Sequence, residues 1–91
     1  MATLDSTIQI PQDVLFHELA GEAVLLNLET GKYFGLDEIG TRMWMLLSEH
    51  GQIEPVLHAL LDEYEVEEAH LSRDLFELID RLAANGLLQI T

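Results

Sequence analysis

Residues 22–36, EAVLLNLETGKYFGL, constrain this chain more than any other stretch. Apolar and polar positions alternate on either side of ETG, the signature of two antiparallel strands around a tight loop. A three-residue loop at 29–31 with Gly31 left-handed sets Leu28 opposite Lys32, Leu26 opposite Phe34 and Val24 opposite Leu36. In that register Val24, Leu26, Leu28, Phe34 and Leu36 form an apolar core face, and Leu25, Asn27, Tyr33 and Gly35 lie on the other. VLFHEL, residues 14–19, precedes the hairpin as another strand, with Gly21 as the turn residue. The strand at 32–36 ends the run, and its outer edge has no sequence partner. An open edge invites pairing with another chain, so leaving one implies a use for it.

Helical spacing begins after Leu36. Asp37 is a fitting N-cap for a helix over 38–50, with Ile39, Met43, Leu46 and Leu47 on one stripe and Gly51 at the C-cap position. Trp44 lies beside that stripe and is expected in the core. A second helix spans 53–64, with Pro55 in its first turn, where a missing N–H costs little. A third spans 67–86 and closes at Gly86. LLQI, residues 87–90, fits a short last strand or a docked tail. Residues 1–13 read as a flexible N-terminal segment ended by Pro11, and residues 14–91 as the folded domain. The fold class is therefore α+β: a three-stranded antiparallel sheet followed by three helices, in a winged helix-turn-helix-like arrangement.

The third helix carries a broad apolar arc. On a wheel of about 100° per residue, Leu75, Leu78 and Leu82 fall within about 40° of Leu71 and form the seam, while Ile79, Ala83 and Phe76 widen the arc on one side to roughly 160°. Two readings follow. The helix is deeply buried, or Phe76, Ile79 and Ala83 line a groove between it and the edge strand.

Charge narrows the range of partners. The 91 residues hold 17 acidic and 4 basic side chains, for a net charge of −13. Nucleic-acid binding needs cations to neutralise phosphates, and Lys32, Arg42, Arg73 and Arg81 are scattered, so neither nucleic acid nor an anionic membrane surface is expected. No apolar run is long enough to span a bilayer. With no cysteine and no signal-peptide pattern at the N-terminus, the expected setting is the cytoplasm. His17, His50, His58 and His70 form no ligand pair or HExxH-type cluster, and no glycine-rich phosphate loop or nucleophile set is present. No catalytic residue, metal or cofactor is expected. The acidic run DEYEVEE, residues 62–68, lacks the alternation of a calcium loop and suits a solvated connection.

GEAVLLNLETGKYFGLDEIGTRMWMLL, residues 21–47, resembles the PqqD-like family, with Leu36, Asp37, Gly40, Met43 and Trp44 at the hairpin-to-helix junction. RDLFELIDRL and the closing Leu82, Gly86, Leu87 and Leu88 extend the resemblance over residues 14–88. Asp37 stands where the family more often has Asn, and the cap is kept. The resemblance implies a non-catalytic element that recognises the leader segment of a ribosomally synthesised precursor peptide. It would pass the precursor to a modifying enzyme or leader peptidase, in a lasso-peptide or radical-SAM type pathway. The leader would add as a strand beside residues 32–36 and pack against the third helix. The implied peptide-binding set is Lys32, Tyr33, Phe34, Gly35, Leu36, Leu75, Phe76, Ile79 and Ala83. Tyr33 would flank the docked peptide or cover Leu25. Two other classes share the layout: a winged-helix transcription regulator, disfavoured by the acidic third helix, and an unrelated protein-interaction or oligomerisation module.

Overall fold

A computed structural model describes residues 2–91. The elements run β1 (Ile8–Gln9), β2 (Val14–Leu19), β3 (Glu22–Asn27), β4 (Tyr33–Leu36), α1 (Glu38–His50), α2 (Ile53–Glu63), α3 (Glu68–Ala84) and β5 (Gln89–Ile90). Strands β2, β3 and β4 form an antiparallel sheet in that spatial order, so β4, the third strand of the expected sheet, lies at an edge. The three helices follow, and the α+β class stands as expected.

The hairpin register differs from the sequence reading by one residue. Leu26 pairs with Tyr33, Leu25 with Phe34, Val24 with Gly35 and Ala23 with Leu36. The Asn27 amide donates to the Lys32 carbonyl at 3.0 Å, leaving four loop residues instead of three. One residue of slip inverts β3. Ala23, Leu25 and Asn27 face inward and are buried, whereas Val24 and Leu28 are exposed. The cause is Asn27. Its Oδ1 accepts from the Glu29 amide at 2.9 Å and the Thr30 amide at 3.2 Å, and its Nδ2 donates to the Gly86 carbonyl at 3.0 Å. A buried amide satisfied in this way offsets the larger apolar count of the alternative face, and these three bonds form only with Asn27 turned inward. Gly31 keeps its left-handed turn role, at φ 76°.

The helix ends follow their caps. Asp37 Oδ1 accepts from the Gly40 amide at 2.7 Å and starts α1, and Gly51, at φ 68°, ends it. Met43, Trp44, Leu46 and Leu47 bury the inner face of α1, while Ile39, expected on that stripe, is exposed. One core gathers Leu25 and Leu36 from the sheet, Leu47 from α1, Ile53, Val56 and Leu60 from α2, and Leu71, Leu75, Ile79 and Leu82 from α3. The stretch expected to be flexible contributes to it. Within residues 1–13, Ile8 is buried and pairs with Ile90, and Gln9 pairs with Gln89, so β1 and β5 tie the two ends of the chain together.

Candidate functional site: the β4 edge and its groove

Antiparallel pairing turns alternate residues of a strand toward its neighbour. Lys32 bonds to Asn27 on the β3 side, so Phe34 and Leu36 also turn their amides and carbonyls toward β3. The N–H and C=O groups of Tyr33 and Gly35 therefore project from the open edge. Their side-chain positions lie on the outer sheet face, where Tyr33 is 74% exposed and pairs across to Leu26 instead of covering Leu25. A Cβ built on Gly35 would meet nothing within 4 Å, so the chain's own packing does not demand glycine there.

A groove of about 410 Å³ runs beside this edge. Phe34, Leu36, Ile39, Met43 and Leu78 make its apolar lining, and Asp37, Asp74, Glu77 and Arg81 supply its charge. The hairpin-to-helix junction places Leu36 and Asp37 along the rim, and the cap at Asp37 sets the direction in which α1 leaves. From α3 the groove receives Asp74, Glu77, Leu78 and Arg81, spaced three and four residues apart along one flank. Arg81 reaches back over the Phe34 ring, 5.3 Å from its centroid.

The structure brings together only part of the set named from sequence. Tyr33, Phe34, Gly35 and Leu36 form the strand edge and its inner rim, with Lys32 exposed just before them. Leu75 and Ile79 have no exposed surface and belong to the core. Phe76 and Ala83 pack half-buried against that core, on the flank of α3 opposite Asp74 and Arg81. The groove thus lies on the other side of the helix from the one its apolar arc suggested. Sequence reasoning missed Ile39, Leu78 and the charged residues of that flank. The available signal was Leu78 among Asp74, Glu77 and Arg81, an apolar residue on the boundary of a charged face.

The histidines are dispersed over β2, α1, α2 and α3, and among the described residues no group of three His, Asp or Glu is placed to hold a metal. No helix among the described residues is long and apolar enough to cross a membrane. Away from the groove, Arg42 on α1 makes a two-point contact with Glu63 at the end of α2, Nε to Oε1 at 2.8 Å and Nη2 to Oε2 at 2.7 Å. These hydrogen bonds, reinforced by the opposite charges, hold the Glu63 carboxyl below its ordinary value and raise the Arg42 guanidinium above its own.

A small α+β domain with an open strand edge beside an apolar cleft presents the two features that strand-accepting peptide receptors use. Residues 22–88 match the family described as Coenzyme PQQ synthesis protein D (PqqD), and the chain belongs to that family. Its fold is shared with TbiB1, solved in complex with the TbiA(beta) leader peptide. That protein is 40% identical, with a TM-score of 0.83 over 89% of this chain and 94% of that one. A lasso peptide synthetase B1 complexed with the leader peptide has the same fold at 24% identity, with a TM-score of 0.81 over 91% of this chain and 98% of that one. Among curated proteins none matches.

Proposed function

We propose that this protein binds the leader segment of a ribosomally synthesised precursor peptide. The leader adds to β4 as a further strand of the sheet and lays alternate side chains into the groove beside α3. The protein then delivers the precursor to a modifying enzyme or leader peptidase, in a lasso-peptide or radical-SAM type pathway in the cytoplasm, without chemistry of its own.

The observation that carries this reading is the outward pair of backbone groups at Tyr33 and Gly35 beside the apolar groove. Four unpaired polar groups on a strand edge are satisfied fully by another strand and only loosely by solvent. TbiB1, which shares 40% of its sequence with this chain, supports the reading because it was solved with a leader peptide bound.

The test begins with a search of the neighbouring genes for a short precursor reading frame. Its N-terminal segment is synthesised and titrated by calorimetry, with amide exchange recorded free and bound. Binding should protect the Tyr33 and Gly35 amides, while those of Phe34 and Leu36, already paired to β3, change little. Binding with no protection at either Tyr33 or Gly35 overturns strand addition at β4.

A further inference from the structure

The groove beside β4 is strongly biased in charge. Asp37, Asp74 and Glu77 line it against a single cation, Arg81. Glu77 and Arg81 stand four residues apart on α3, the spacing of a favourable helical ion pair. No such pair forms. Arg81 lies over the Phe34 ring, the ion pair among the described residues is Arg42–Glu63, and His70 contacts Asp74. Asp37 uses one oxygen to cap Gly40, and Asp74 Oδ2 sits 3.3 Å from His70 Nε2. Among the described residues, no cation lies within ion-pair distance of Glu77 in the groove. The open edge and the apolar lining define the site, and the carboxylates bear on which peptide fills it.

We infer that the groove selects a leader segment in which a lysine or arginine lies two residues from an apolar side chain. This rests on leader binding at β4. In an added strand, residues two apart point to the same side. One then sinks between Leu36, Ile39 and Leu78 while the other reaches Glu77 and Asp74 about one α3 turn away. Those two carboxylates are themselves three residues apart, so a cation between them is attracted by both. A glutamate or aspartate at the same position meets them as like charges and is rejected, which makes the carboxylates a filter as well as an anchor. The net charge of −13 attracts any basic peptide without regard to position. The groove carboxylates add the positional preference.

The experiment is a selection of displayed random dodecapeptides on the intact protein. It is repeated on the double variant Asp74→Asn/Glu77→Gln and on Tyr33→Pro, with thermal melts confirming that each variant is folded. Peptides that depend on Tyr33 should carry Lys or Arg two residues from an apolar residue. Changing that cation to Glu should weaken binding by about tenfold or more, since an exposed attraction is lost and a repulsion takes its place. The double variant should hold the Lys and Glu versions within about twofold of each other. If Tyr33-dependent peptides show no positional cation, or keep the preference in the double variant, the charge filter is overturned while leader binding stands. If no selected peptide depends on Tyr33, strand addition at β4 fails, and the filter fails with it.

Discussion

The guanidinium of Arg81 on α3 stacks over the ring of Phe34 on β4, so one contact spans the groove from the helix to the edge strand. Arg81 lies over that ring, and no ion pair joins it to the neighbouring Glu77. A cation over an aromatic face contributes about 0.5–1 kcal/mol at a half-exposed site. Arg81→Ala should therefore lower Tm by roughly 2–8 °C in a domain of this size, read by thermal melt. A variant that melts with the wild type would show that the stacking contributes nothing to stability.

The backbone parity of β4 separates binding from folding. Proline at Tyr33 removes an N–H that points away from the sheet, whereas proline at Phe34 removes one bonded to β3. Tyr33→Pro should keep the fold and weaken peptide binding by about ten- to a hundredfold, because a backbone carbonyl of the added strand loses its donor at a cost of about 1–3 kcal/mol. Phe34→Pro should instead destabilise the hairpin. Calorimetry paired with circular dichroism distinguishes the two, and the opposite outcome would invert the parity assigned here.

Two neighbours on α3 should behave in opposite ways. Ile79 is fully enclosed, so Ile79→Ala should cost about 2–4 kcal/mol and Ile79→Glu should unfold the domain by burying a charge. Leu78 is half-buried at the groove, so Leu78→Glu should leave a folded protein with weakened peptide affinity. Melts and titrations of the pair test which flank of the helix faces the ligand.

Asn27→Ala should be among the costlier polar changes. It leaves the Gly86 carbonyl without its donor and removes the acceptor for two turn amides, with a cost of about 1–3 kcal/mol by chemical denaturation. Asn27→Asp keeps the acceptor and loses the donor, so it should recover only part of the difference.

The Arg42–Glu63 contact gives a pH signature. Folding lowers the Glu63 pKa, so the contribution is fully present above the unfolded value and is lost as pH falls through the folded one. Both side chains are partly exposed, which limits the effect to about 1 kcal/mol at most. Glu63→Gln should melt below the wild type at neutral pH, and the gap should close in acid and narrow in high salt.

Local chemistry alone sets much of this fold. Two-residue alternation specifies the strands, and helical spacing with Asp37 and Gly51 at the ends specifies α1. A run of strands followed by a run of helices specifies α+β. Even the facing of β4 was readable, since Phe34 and Leu36 are inward and Tyr33 and Gly35 outward under either hairpin register. These features depend on a residue and its near neighbours, so they are written in the order of the chain. Three others depend on groups far apart in it. The facing of β3 was decided by Asn27, whose donor finds its acceptor at Gly86, 59 residues away. The order of the N-terminal segment was decided by the pairing of Ile8 with Ile90. The groove side of α3 was decided by how the helix rolled. A wheel shows how wide an apolar arc is, but the core took Leu75 and Ile79 at its centre and turned Leu78 and Arg81 toward β4. Burial rewards apolar area wherever it is enclosed, with no preference for direction, and only the packed neighbours settle which flank is left for a ligand.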